Sequence, residues 1–113
     1  MTSNEAEPRI CEHFQRAANL IARRWNPQIL GAMLDDAMRF TDIRNAVPGL
    51  SDRILSGRLK DLELEGIVTR EVTPDTPVRI EYRLTARGRD LAGVIDELGA
   101  WAERWTGAGA AAR

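Results

Sequence analysis

Apolar residues recur at three- and four-residue steps along the first half of the chain, and this spacing predicts helices. The first predicted helix runs from Ile10 to Trp25, with its apolar residues on one face. Asn26-Pro27 then predicts the start of a second helix, because asparagine caps helices and proline is tolerated at the first helical position. This second helix is expected to run from Pro27 to Asp36.

Two more helices are predicted on either side of a tight turn. Thr41 is placed to cap a short helix that contains Ile43 and Val47 and ends at Pro48-Gly49. Ser51 is placed to cap a longer helix that extends to about Glu65, and Gly66 suits a left-handed C-terminal cap. The longer helix carries a buried stripe made of Leu55, Leu59 and Leu62.

After Gly66 the pattern changes from helical spacing to alternation. Ile67–Val72 is rich in β-branched residues, residues 74–77 have the composition of a turn, and charged residues alternate with apolar ones over Val78–Leu84. These segments predict a two-stranded hairpin with one buried face, formed on the second strand by Val78, Ile80, Tyr82 and Leu84. Thr85 is placed to cap a final helix that extends to Trp105.

The order of four helices, a hairpin and one helix indicates an α+β fold that is mainly helical. Two short helices joined by the turn at 47–50, the second longer and followed directly by a hairpin, outline a winged helix-turn-helix. We expect residues 10–105 to form this domain, with long N- and C-terminal helices at a dimer interface. Residues 1–9 and 106–113 are expected to be flexible.

The free face of the helix at 51–65 is the first candidate for function. At about 100° of rotation per residue, Arg53, Ser56 and Lys60 lie opposite the leucine stripe. A small, cationic and hydroxylated face suits DNA, although it is about as typical of an ordinary solvated helix. Arg58 points to the side and is expected to pair with a nearby carboxylate.

The distribution of charge along the chain favours DNA contact over an ordinary solvated helix face. The 113-residue chain has 16 Lys and Arg against 17 Asp and Glu, a net charge of −1. Residues 39–89 hold ten basic and eight acidic residues, a net of +2, so the rest of the chain carries −3. Arg39 before the short helix and Arg79 beside the hairpin turn can extend the basic face. The distribution favours DNA binding.

Length and composition argue against several other classes of protein. The chain has room for one domain, no run long enough for a membrane span and no signal peptide, so a cytoplasmic protein is expected. Cys11, the one cysteine, cannot form an internal disulfide, and with His13 it makes neither a nucleophile–base pair nor a zinc site. The glycines form no phosphate-binding loop. We therefore expect no enzyme, metal or cofactor.

The characteristic motifs of the chain, in order, are Arg24-Trp25 after Cys11, Arg39–Ile43, Val47–Ser51, Leu55 with Arg58–Glu63, Gly66–Val68, and Thr76–Val78 through Glu81–Gly88. On these motifs, the stretch from Cys11 to Trp105 resembles the HxlR family of bacterial winged-helix transcription regulators, relatives of the MarR regulators. The resemblance implies a homodimeric repressor that binds an inverted-repeat operator. The helix at 51–65 would lie in the major groove and the hairpin near the backbone or minor groove.

This interpretation assigns roles to individual residues. Arg53, Ser56 and Lys60 are expected to read bases, and Arg39, Arg79 and the helix start at Ser51 to contact phosphates. A different interpretation is a module that keeps the winged-helix shape but binds a protein, or an aromatic ligand between its tryptophans, and no DNA.

The terminal helices carry much apolar and aromatic surface for the ends of a small domain. One interpretation is that they pack on their own domain, and the other, which we favour, is that they form a core shared by two chains. The residues expected at this dimer interface or ligand pocket are Phe14, Ile21, Trp25, Leu98, Trp101 and Trp105.

Cys11 has two interpretations of its own. A lone cysteine near a helix start is often a small buried apolar residue. The family resemblance implies the alternative, because some members sense oxidants or quinone-like electrophiles through a cysteine ahead of the Arg-Trp pair. The helix start and Arg9 favour a reactive thiolate, whereas Glu12 stands where those members have proline and disfavours it. A disulfide would have to join two subunits or a small thiol.

Overall fold

The computed structural model describes residues 11–106. Within these residues, five helices and one antiparallel hairpin confirm the mainly helical α+β fold, and the expected order of elements is also confirmed. The ends expected to be flexible lie outside the described residues, except Thr106, which is the last residue of the final helix. The elements are α1 (Glu12–Ala22), α2 (Asn26–Ala32), α3 (Phe40–Ala46), α4 (Asp52–Leu64), β1 (Val68–Thr73), β2 (Arg79–Leu84) and α5 (Ala86–Thr106).

The first helix is shorter than the sequence predicts. It ends at Ala22, and Trp25 has a left-handed backbone with φ of 80°, so the prediction of a helix through Trp25 is wrong. Asn26 contributes to the break, because its side-chain Nδ2 donates to the carbonyl oxygen of Leu20 at 2.9 Å and satisfies a group near the end of α1. Asn26 is 1% exposed and is the first residue of α2 instead of its cap.

The second helix also ends early, at Ala32 instead of Asp36. The chain leaves the helix so that Met38 can reach the hairpin. Met38 N–H donates to the Tyr82 carbonyl at 2.9 Å, and Tyr82 N–H donates to the Met38 carbonyl at 2.8 Å. This pair of hydrogen bonds ties the segment before α3 to β2, a contact between distant residues that no local pattern indicates.

Caps explain the bounds of α3 and α4. The prediction that Thr41 caps α3 is wrong, since the helix begins at Phe40 and the Asp42 carboxylate accepts the N–H of Arg39, the residue in the cap position, at 3.4 Å. The prediction for Ser51 is confirmed, because its Oγ accepts the N–H of Ile54 at 3.2 Å. Gly66 is confirmed in the left-handed conformation with φ of 76°.

The hairpin pairs β1 and β2 from Val68 opposite Leu84 to Thr73 opposite Arg79. Its buried face is confirmed only near the domain. Leu84 is buried and Tyr82 and Ile80 are half-buried, but Val78 lies before β2 and is 52% exposed. The outer part of the hairpin therefore extends beyond the core, and alternation of residue types does not show where the covering elements end.

The core lies between α2, α3, α4, the base of the hairpin and the first turns of α5. The predicted leucine stripe of α4 is confirmed. Thr85 caps α5 as predicted, because its Oγ1 accepts the N–H of Gly88 at 3.0 Å and donates to the Gly66 carbonyl at 2.6 Å. The largest fully buried side chains are Ile29, Leu30, Met33, Ile43, Leu55, Leu59, Leu62 and Ile67, together with Asn26.

Gly88 sets how closely α5 approaches the start of β1. A Cβ at this position would overlap the carbonyl oxygen of Ile67 and would lie 2.9 Å from its carbonyl carbon. Both atoms belong to the backbone, so a side chain cannot rotate away to make room. Residue 88 therefore has to be glycine for α5 to pack as it does.

We expect Gly88→Ala to lower the free energy of unfolding by about 1–3 kcal/mol, because the backbone clash outweighs the gain in helix propensity. Gly93→Ala is the matched control on the same helix, since a Cβ there meets nothing within 4 Å. This control should raise stability by about 0.5–1 kcal/mol. Urea unfolding of both variants measures the difference, and equal stability of the two would contradict the close approach.

Candidate nucleic-acid interface

Helix α4 presents two different faces. Leu55, Leu59 and Leu62 are at most 1% exposed, whereas Arg53, Ser56 and Lys60 are exposed on the other side. Burying the three leucines sets the rotation of the helix about its axis. The structure therefore brings Arg53, Ser56 and Lys60 together on one free surface.

The turn before α4 is supported by an aromatic ring. Leu50 N–H donates to the Val47 carbonyl at 3.2 Å, and Gly49 has φ of 87°. Trp25 packs on the other side of this turn, since its Cη2 would lie 3.4 Å from a Cβ at Gly49. The half-buried ring thus packs against the core of its own chain, and the expected placement of Trp25 on the first helix is wrong. Its role at a dimer interface or ligand pocket stays a prediction.

The prediction that Arg58 pairs with a carboxylate is also wrong. Its Nε donates to the carbonyl oxygen of Arg24 at 2.9 Å, and the Arg24 guanidinium lies 4.9 Å from the centre of the Trp25 ring. Arg23 adds an ion pair with Asp61 at 3.5 Å. We call residues 23–26 the α1–α2 corner, and these contacts join it to the flank of α4.

The cations expected at DNA differ in their surroundings. Arg39, Arg53 and Lys60 have no ion pair or side-chain hydrogen bond within the part of the chain that the structure describes. Arg79 instead forms an ion pair with Asp75 at 3.4 Å beside the hairpin turn. Ser51 lies at the start of α4, where its Oγ serves as the helix cap. At the same helix start Asp52 is paired with Arg44 at 2.9 Å.

Two further polar residues border the same surface, and the sequence interpretation missed them. Arg70 on β1 and Tyr82 opposite it on β2 line a cavity of about 370 Å³ together with Ser56 and Lys60 of α4. A signal existed in the alternation, because Arg70 stands on the strand face of Val68. Arg70 stands between the apolar residues of this face, and an arginine is not typical of a buried strand face.

Cys11 lies at the N-cap of α1. It is half-buried, so it is not a fully buried apolar residue among the described residues, and both interpretations of its role stay predictions. Its Sγ accepts the N–H of Phe14 at 3.4 Å. His13 is exposed and lines a groove of about 670 Å³ between α1, the end of α4 and α5, across which Arg16 reaches Glu65 at 4.0 Å.

Apolar side chains line the outer half of α5. Leu98 is 54% exposed and Trp101 is 52% exposed, and Val94 and Trp105 continue the same stripe. Phe14 on α1 is also exposed, whereas Ile21 is half-buried. None of the described helices is long and apolar enough to span a membrane. Within residues 11–106, Val94, Leu98 and Trp101 of this stripe are each more than half exposed.

The chain is similar to a family of helix-turn-helix proteins. Residues 20–110 match the model of the HxlR-like helix-turn-helix family. The HTH-type transcriptional regulator YvaP of Bacillus subtilis is 46% identical over 102 residues, which cover 90% of this chain and 93% of YvaP. The HTH-type transcriptional regulator YodB of the same organism is 38% identical over 96 residues, covering 85% of this chain and 86% of YodB.

Solved structures show the same architecture. Diamide-treated YodB from B. subtilis superposes with a TM-score of 0.75 at 38% identity and covers 87% of this chain and 97% of its own. The redox regulator HypR in its oxidised form superposes with a TM-score of 0.75 at 32% identity and covers 80% of this chain and 93% of its own. A quinone-bound form of YodB is also similar, with a TM-score of 0.72 at 35% identity over 84% of this chain and 99% of that one.

Proposed function

Because the chain belongs to the HxlR-like helix-turn-helix family of transcriptional regulators, we propose that it acts as a homodimeric repressor on an inverted-repeat DNA operator. The relatives are regulators and not enzymes. In this proposal α4 is the recognition helix, which enters the major groove, and the hairpin β1–β2 is the wing beside it.

The observation that carries the proposal is the free face of α4. Arg53, Ser56 and Lys60 share this face, and the two cations have no partner in the described residues. A cation that has no protein partner keeps its donors for phosphates and base edges. In this proposal Arg53, in the first turn of α4, donates two hydrogen bonds to a guanine, and Ser56 lies one turn further along the same face.

Contacts to the DNA backbone position this helix. Arg39 stands before α3 and is exposed without a partner within residues 11–106, so its guanidinium can reach a phosphate. Arg79 at the wing can do the same after exchanging Asp75 for a phosphate. The ion pair is exposed on both sides and contributes little to stability, so this exchange costs little.

The apolar stripe of α5 supplies the second half of the proposal. Leu98, Trp101 and Trp105 of one chain, with Phe14 and Ile21 of α1, are proposed to pack against the same surface of a second copy. Large exposed apolar and aromatic surfaces on a small domain are typical of subunit interfaces. A two-fold axis through this interface would place two recognition helices on one side of the dimer, as an inverted repeat requires.

Control by oxidants or electrophiles is proposed to act through Cys11. Two proteins similar to this chain support the proposal. YodB has a solved structure in a quinone-bound form, and the redox regulator HypR has solved structures in its reduced and oxidised forms. Cys11 is half-buried beside the α1 surface assigned to the dimer. Its thiol would add to a quinone to form a thioether, or two Cys11 thiols would join across the dimer while diamide takes up their two hydrogens.

Arg53→Ala should weaken binding to the operator by about 1–3 kcal/mol and relax the base preference at one position of each half-site. Arg53→Lys is the matched variant, because it keeps the charge but loses the bidentate fork. Operator selection from random duplexes, followed by binding measurements, tests both variants. Wild-type protein that enriches no palindrome would contradict the proposal and favour a module that binds a protein or an aromatic ligand.

Leu98→Asp should convert the dimer into a monomer, because the aspartate would be buried in the apolar interface. Ala100→Asp places the same charge on an exposed position outside the Val94–Trp105 stripe and should leave the dimer intact. Sedimentation velocity at micromolar concentration measures both variants. Recognition helices roughly 34 Å apart in a co-crystal structure would agree with the proposed symmetry. A wild-type monomer at that concentration would rule the dimer out.

Treatment with diamide should produce a disulfide-linked dimer on non-reducing gels, and treatment with a quinone should add the mass of one quinone per chain. Cys11→Ser should show neither product. Intact-protein mass spectrometry measures the adducts, and operator binding before and after treatment shows whether the modification is regulatory. A Cys11 that stays unmodified under both treatments would remove the sensing role and leave DNA binding untouched.

A further inference from the structure

A cleft lies between the recognition helix and the face of the wing that packs toward the domain. Its volume is about 370 Å³. Ser56 and Lys60 line it from α4, and Arg70 and Tyr82 line it from the paired strands β1 and β2. The cleft is thus bounded by the two elements that a winged helix brings to DNA.

The polar groups in this cleft are mostly hydrogen-bond donors. Lys60 and Arg70 carry positive charge and have only donors, and the hydroxyls of Ser56 and Tyr82 can donate as well. None of these four side chains has a hydrogen-bond or ion-pair partner among residues 11–106. Other arginines of the wing are paired, such as Arg83 with Glu71 at 3.2 Å and Arg79 with Asp75.

One acidic residue, Glu63, also lines the cleft and is half-buried there. With Lys60 and Arg70 present, the charge of the lining is +1. The four donors outnumber the two acceptors, N7 and O6, that a guanine edge presents in the major groove, and they match an anion with several acceptor oxygens better.

From this geometry we infer that the cleft holds a phosphodiester group of the DNA backbone, with Arg70 and Lys60 on its oxygens and Tyr82 donating from the wing. The inference rests on the proposed DNA binding and deepens it. It changes the role of Lys60, which is expected from the sequence to read a base, to that of a backbone contact. It also adds Arg70 and Tyr82 as positioning residues.

The wing is placed correctly for this role. Val68 and Leu84 bury the base of the same strand face, so Arg70 and Tyr82 follow directly at the edge of the core. Tyr82 is further held by its two backbone hydrogen bonds with Met38. The donors are therefore carried by a supported part of the hairpin, and a strand of DNA that passes beside α4 meets them with little reordering.

The test separates backbone contacts from base contacts. Binding of Arg70→Ala, Lys60→Ala and Tyr82→Phe is measured by fluorescence anisotropy against a random-sequence duplex and against the selected operator, each over a range of salt concentrations. Each lost phosphate contact of Arg70 or Lys60 should reduce the slope of log K against log salt by about 0.9. Affinity for both duplexes should fall by the same factor, so that the ratio of operator to random binding is unchanged.

Arg83→Ala is the matched control, because it removes the same charge from the opposite face of the wing. It should leave the salt slope unchanged. Arg70→Gln, which keeps part of the side-chain stem, replaces Arg70→Ala if thermal unfolding shows that the alanine variant does not fold. Tyr82→Phe keeps the ring and should weaken both duplexes equally without a change of slope.

Each outcome decides the inference. If the salt slope is unchanged in Arg70→Ala while the wild type selects its operator normally, the inference of a phosphate in the cleft is overturned. The proposed function is then left intact. If Arg83→Ala lowers the salt slope as much as Arg70→Ala, the loss follows from removing any positive charge of the wing. That result would also overturn the inference. If Lys60→Ala lowers the ratio of operator affinity to random-duplex affinity, Lys60 contacts a base and not the backbone, which overturns its assignment to the cleft. Absence of any duplex binding by the wild type would overturn both proposals.

Discussion

Burial of the leucine stripe of α4 is the interaction on which the rest of the structure depends. Leu55, Leu59 and Leu62 insert into the core formed by α2, α3 and the base of the hairpin. Each buried leucine contributes about 1.5–3 kcal/mol relative to an exposed one, so rotating the helix would be costly. The same burial leaves Arg53, Ser56 and Lys60 in solvent. One packing constraint thus determines both the stability of the helix and the surface proposed to meet DNA.

The α1–α2 corner holds this helix from its flank. Trp25 packs against the turn at Gly49, the Arg24 carbonyl accepts from Arg58, and Arg23 pairs with Asp61. The left-handed backbone at Trp25 makes these contacts possible, because it turns the chain between two helices. Helix α1, which carries Cys11, is in this way connected to the helix proposed to read DNA.

Helix α5 divides its length between two tasks. Its first turns belong to the core, where Thr85 and Gly88 fit against the Gly66-Ile67 backbone. Its outer half carries Leu98 and Trp101 into solvent in the single chain. In the first half, the close approach of two backbones determines how the helix packs. The outer half instead carries a stripe of large apolar residues. The outer half is the part of α5 assigned to the proposed dimer interface.

Local residue patterns determined much of this protein. The helical spacing of the leucines, the cap at Ser51, the glycine at 66 and the alternation of the hairpin predicted the order of elements and the free face of α4, because each depends on neighbours within a few residues. Contacts between distant residues decided the rest. They turned Arg58 toward the carbonyl of Arg24, tied Met38 to Tyr82, and brought Arg70 and Tyr82 opposite Lys60. The Asn26–Leu20 hydrogen bond that ends α1 and the Arg79–Asp75 ion pair join residues close in sequence, but they depend on side-chain geometry that residue spacing does not show. Sequence specifies which side chains can bind, but only the packed chain decides which of them have partners and which stay free.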